Sequence, residues 1–204
     1  MGSFSVDNYP AIEAGAQLDA GISYDDALEL LKKYNDDEFH IEHGETVSKL
    51  MGYFAKQEDA ENVAFWEIVG LLHDLDWEKW PDEVAHTTKT AELLDEAGVD
   101  PHVAHAIMTH NSDYNSVLPK PEHIMEKYLW ATDELSGLYG AIIRMYPSHS
   151  AQDLNLKSVK KKFKNKGFAG GCDRAYMEQG AVLLGIEVEE MLERYIVAYK
   201  ELFD

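Results

Sequence analysis

The chain has 204 residues with 38 acidic and 18 basic side chains, a net charge of −20, 45% hydrophobic residues and one cysteine. At this length one core removes roughly 70% of the unfolded surface from water, so no structural metal or disulfide is needed to hold the fold. The charge argues against a nucleic-acid polymer or an anionic membrane as partner, and the single Cys172, with no secretory leader and no apolar run near ~20 residues, points to the cytoplasm.

Prolines and glycines lie between segments of 3.6-residue periodicity, which predicts an all-α fold, one helical bundle over residues 23–204 after a loose segment 1–22. Ser23, followed by Asp25 and Asp26, caps a helix to about Tyr34. Asp36 or Asp37 caps a second, from Glu38 to about Lys56, on which His40, His43, Val47, Leu50, Met51 and Phe54 share a face. A third runs from about Asn62 to Leu75 and ends an apolar run in Gly70-Leu71-Leu72-His73-Asp74-Leu75-Asp76, before Trp77 to Pro81 break it. A fourth spans Asp82 to Ala97 and stops at Gly98, and a fifth runs from Pro101 to about His110-Asn111. The sixth, from about Glu122 toward Pro147, carries Asp133, with Gly137 and Gly140 as kink positions. Helices over Asp173–Leu184 and Glu187–Phe203 close the chain.

His43, His73, His86 and His110 each lie on or at the end of a predicted helix, and Asp74 and Asp133 complete an ordered set of six candidate ligands. Imidazole nitrogen with carboxylate oxygen suits Mn, Fe, Co, Ni or Zn, and the lack of cysteine ligands excludes a zinc finger. His40, one turn before His43, is the alternative first ligand. His102, His105, His123 and His149 read as ordinary structural histidines.

His43, the adjacent His73-Asp74 and the distal Asp133 resemble the HD-domain superfamily of metal-dependent phosphohydrolases. The likeness is closest to a predicted bacterial and archaeal subgroup, through Gly70 to Glu78, Ala131 to Leu138 and Lys157 to Lys164, and covers about residues 38–200. It implies one ion on His43, His73, Asp74 and Asp133, and, as in larger members, a second on His86 and His110 with Asp74 bridging. It also implies hydrolysis of a phosphate ester or anhydride by metal-bound hydroxide attacking phosphorus, with Asp74 at the catalytic centre. Two-iron members of the superfamily imply an alternative, oxygen-dependent oxidation of small polyols or phosphonates. A non-catalytic nucleotide-binding module is a third reading.

An anionic substrate needs cations, and their placement is uneven. Residues 1–150 carry 9 basic and 29 acidic side chains, whereas residues 151–204 carry 9 of each. Lys157, Lys160, Lys161, Lys162, Lys164 and Lys166 fall together without an acid among them. On a helix Lys157, Lys161 and Lys164 share a face with Lys160 on its flank, forming a candidate patch for a small phosphorylated substrate, a nucleotide or related phosphomonoester; the plain alternative is a solvated face. Arg144 and Arg174 can each bind phosphate bidentately or pair with acids. Asp76 and Glu78 either orient a ligand histidine or a water, or form an exposed acidic turn. Gly167 to Gly171 lacks the Lys and Ser or Thr of a phosphate-binding loop and reads as a connection.

Overall fold

A computed structural model describes residues 4–203, which form nine α-helices and no strand among the described residues. They are α1 (Tyr24–Tyr34), α2 (Glu38–Glu58), α3 (Val63–Leu72), α4 (Thr88–Ala97), α5 (Pro101–Thr109), α6 (Ile124–Met145), α7 (Leu156–Lys164), α8 (Arg174–Leu184) and α9 (Val188–Leu202). The chain divides into two compact units, one up to residue 129 and one from residue 130, with the division inside α6. Among the described residues no helix is long and apolar enough to cross a membrane.

Local chemistry sets most helix ends. Ser23 Oγ accepts the Asp26 N–H at the start of α1, Asp37 accepts the Phe39 N–H at α2, and Asp100 accepts the His102 N–H beside Pro101 at α5. Gly98 and Gly185 take left-handed conformations, φ 74° and 69°, and end α4 and α8.

In the first unit α2 packs on α3. Val47, Leu50, Met51 and Phe54 of α2, and Phe65, Trp66, Val69, Leu71 and Leu72 of α3, are all buried. The backbones approach closely at two glycines: a Cβ on Gly44 would sit 2.8 Å from the Leu71 carbonyl oxygen, and one on Gly70 would sit 2.9 Å from Ser48 Cα. Larger residues would push the helices apart. This approach sets His43, next to Gly44, beside His73, one turn after Gly70.

Segment 1–22, expected to be loose, is tied to the first unit at Tyr9, Ala16 and Leu18. Tyr9 is buried; its hydroxyl donates to Asp95 at 2.7 Å, and its carbonyl accepts the His105 Nδ1–H at 2.9 Å. Further on, the Leu18 N–H donates to Asn62 Oδ1, whose amide donates to the Ala16 carbonyl.

The prediction for α4 is corrected. The helix begins at Thr88 and not at Asp82, because the Asp76 carboxylate, distant in sequence, takes the Thr87 and Thr90 N–H groups and caps the helix there. Residues 82–87 are irregular, with the Val84 and Ala85 N–H groups donating to the Asp82 side chain. The third helix likewise ends at Leu72, and turns carry the chain through His73, Asp74 and Asp76.

At the start of α6, Glu126 is almost fully buried and accepts the Glu122 and His123 N–H groups through Oε2, with Oε1 3.6 Å from His105 Nε2. Burial pushes its carboxyl up to about 7. The folded pKa therefore exceeds the ordinary value of about 4.5, so this group's contribution to stability is full below that pH and is lost as pH rises through about 7. Glu126→Gln, which mimics the protonated acid, should flatten this window. Unfolding free energies from urea titrations between pH 4.5 and 7.5 should fall for the wild type relative to the variant by on the order of 2 kcal/mol, and parallel profiles would refute the assignment.

In the second unit α6 runs unbroken through Gly137 and Gly140. Trp130 stacks on Tyr176 at 4.1 Å, Gly180 of α8 meets the backbone of Ala131, and the Tyr139 hydroxyl donates to the Leu192 carbonyl of α9. Arg174 is buried and donates to the carbonyls of Phe163, Phe168, Ala169 and Cys172, tying the glycine-rich connection to α8.

Candidate metal centre

Within the first unit the fold gathers five of the six predicted ligands. His43 stands in the second turn of α2, His73 and Asp74 just past the end of α3, His86 in the irregular segment before α4, and His110 at the C-cap of α5. Asp74 lies between two histidine pairs. Its Oδ2 is 3.5 Å from His43 Nε2 and 3.4 Å from His73 Nε2. Its Oδ1 is 3.3 Å from His86 Nε2 and 3.8 Å from His110 Nε2. Within each pair the Nε2 atoms are 3.1 Å and 3.2 Å apart.

The far side of three rings fixes what these Nε2 atoms can be. His73 Nδ1 faces the Gly70 carbonyl at 2.8 Å and His110 Nδ1 faces the Ile107 carbonyl. A carbonyl only accepts, so both Nδ1 atoms carry hydrogen, and in the neutral rings both Nε2 atoms present lone pairs. His86 Nδ1 is likewise turned to a carboxylate oxygen of Asp76 at 2.7 Å. On the His86–His110 side the lone pairs of two imidazoles and one carboxylate oxygen thus converge, an arrangement that repels itself unless a proton or a cation sits among them; on the other side the His73 lone pair and Asp74 Oδ2 face His43 Nε2. The donor set, nitrogen with carboxylate oxygen, fits a divalent transition metal.

The electrostatics agree. Burial alone would push the Asp74 carboxyl up, but His73, His86 and His110 together hold it well below the ordinary carboxylate range. Burial works against charge on His86, yet Asp74 and Asp76 outweigh it and push the imidazole up to about 10. The cluster draws in positive charge, and metal and proton compete for it. Its most exposed side chains are Asp74, at 20%, and His43, at 16%, against 8% for His86, 4% for His110 and 0% for His73.

His43, not His40, has its ligand atom in reach of the others. His40 instead meets Phe39 edge-on. Asp133 lies on α6, one turn past the division between the units. Asp76 is fully buried, which settles it as a partner of His86 and not part of an exposed turn, whereas Glu78 accepts the Asp36 and Asp37 N–H groups and serves the α1–α2 connection.

In the second unit α7 gives Lys157, Lys161 and Lys164 their common face, and all three are exposed, opposite buried Val159 and Phe163. Lys160, on the flank, pairs with Glu189. Arg144 is exposed near the end of α6 and folds back over Gly140. Sequence reasoning overlooked Asn111, whose amide donates to the carbonyls of Glu83 and His86 and so ties the His110 turn to the segment that bears His86. Its place directly after His110 was the available signal.

Residues 40–138 match the family model described as HD domain. No curated protein and no solved structure matches the chain significantly.

Proposed function

This chain belongs to the HD-domain superfamily through residues 40–138, and on that premise we propose that it is a metal-dependent phosphohydrolase acting on a small phosphorylated molecule, a nucleotide or related phosphomonoester. The observation that carries the reading is the convergence of two histidine pairs on the two oxygens of Asp74. His43, His73 and Asp74 form one ligand group and Asp74, His86 and His110 a second; Asp133 is carried over from the family pattern as a further ligand by its sequence position.

A divalent cation in such a site lowers the pKa of a water from 15.7 toward about 7 and neutralises charge on phosphoryl oxygens. The chain's own part is to keep Asp74 ionised and to hold the imidazole Nε2 atoms as electron-pair donors. The more exposed His43 side is where a substrate would enter. Lys157, Lys161 and Lys164, with Lys160 and Arg144, are proposed to take the phosphate oxygens. This rests on their shared face and on the acid-free stretch from Lys157 to Lys166; Lys160 is the weakest of them because Glu189 already engages it.

Protein stripped with chelator and reloaded in turn with Mn, Fe, Co, Ni or Zn should hydrolyse p-nitrophenyl phosphate and a panel of nucleotides only when loaded, with one or two ions per chain by elemental analysis. Full activity in metal-free protein would sink the proposal. A carboxylate placed between two histidine pairs also suits a di-iron oxygenase, which would show itself as oxygen consumption by iron-loaded protein with no phosphatase activity across the panel.

A further inference from the structure

Four histidines face Asp74, but they are not held in the same way. His43 sits within α2, and His73 and His110 are braced by carbonyls three residues earlier, Gly70 and Ile107. The rings of His73 and His110 therefore owe their orientation to the helix ends that carry them. His86 belongs to no helix. It lies in the irregular segment 82–87, and the next residue, Thr87, has φ 66°, a left-handed conformation that a β-branched residue adopts only under constraint.

The constraint is the Asp76 carboxylate. It is fully buried, and its Oδ1 accepts the His86 Nδ1–H at 2.7 Å while its Oδ2 accepts the Thr87 N–H at 2.9 Å and the Thr90 N–H at 3.2 Å. One side chain therefore orients the ring, holds the strained residue beside it and caps the helix that follows. Trp77, adjacent to Asp76, closes edge-on against the His86 ring at 4.9 Å, and Asn111 secures the His86 carbonyl.

We infer that Asp76 is a positioning residue that assembles one half of the metal centre, setting His86 so that its Nε2 meets His110 Nε2 and Asp74 Oδ1, while the half built on His43 and His73 does not depend on it. The inference rests on the proposed reading of the cluster as a metal centre. A carboxylate on Nδ1–H also makes the opposite nitrogen a stronger donor. Asparagine cannot replace it: its amide carbonyl can still accept from Nδ1–H, but its NH₂ group then faces the Thr87 and Thr90 N–H groups, donor against donor.

The test counts ions. Apoprotein is titrated with Mn(II), and stoichiometry is read by equilibrium dialysis with elemental analysis. Wild type should bind two ions, and Asp76→Asn should keep one at wild-type affinity with the second weakened by about 10–100-fold. His86→Ala should show the same single-ion pattern, and the double variant should lose no more than either alone. Two ions at wild-type affinity in Asp76→Asn, or loss of both with the helical circular-dichroism signal intact, would overturn the inference. Should Asp76→Asn not fold, proton NMR of wild-type apoprotein decides: a strongly downfield, slowly exchanging Nδ1–H that is absent from His86→Ala is expected, and its absence from wild type would overturn the inference. Wild type that binds no Mn(II) would overturn the metal-centre reading as well, whereas two ions in both wild type and Asp76→Asn would overturn only the role of Asp76.

Discussion

Asp74→Ala is expected to bind no metal in either half of the cluster and to lose phosphatase activity by more than about 100-fold, beyond what removal of an outer hydrogen-bond partner costs a metal site. The reason is geometric. Oδ2 serves the His43–His73 pair and Oδ1 serves the His86–His110 pair, so one truncation leaves each pair without its oxygen donor. Asp74→Asn keeps the shape and loses the charge, and should fail in the same way while retaining the fold. Elemental analysis and steady-state kinetics on both variants check this; either variant holding two ions, or turning over within tenfold of wild type, would show that Asp74 is not the shared ligand.

Arg174→Ala should cost on the order of 3 kcal/mol of stability, because four carbonyls now served by a charged donor would lose it in a site where the arginine is 5% exposed. Arg174→Lys keeps the charge but cannot span carbonyls on both sides of the connection, so it should recover only part of the loss. Urea unfolding of the three proteins measures the difference, and limited proteolysis should find residues 165–172 cut sooner in the alanine variant. A loss below about 1 kcal/mol would mean that water replaces the guanidinium at these carbonyls.

How much was legible in the sequence follows from the range of the interactions involved. Ser23, Asp37, Asp100 with Pro101, and Asp173 act within three residues of the backbone they cap, and Gly98 and Gly185 need only their own left-handed φ, so those boundaries can be read along the chain. The start of α4 could not. Asp82 to His86 has helical composition, but the capping carboxylate comes from Asp76, across a turn whose path no local pattern encodes. Arg174 misled for a similar reason: guanidinium chemistry suggests phosphate or acid, while the folded connection supplies four carbonyls.

The all-α class and the ordered set of histidines and aspartates were determined by the sequence itself, since helical periodicity and ligand type are properties of residues in a row. The family resemblance already implied His43 with His73 and His86 with His110; which oxygen of Asp74 each pair meets, and what brings each pair together, was decided only by tertiary structure. His43 reaches His73 because Gly44 and Gly70 let α2 and α3 come together, and His86 reaches His110 because Asp76 and Asn111 hold an irregular segment against the end of α5. Both depend on close packing between segments 24 or more residues apart, and a linear pattern carries no distance of that kind.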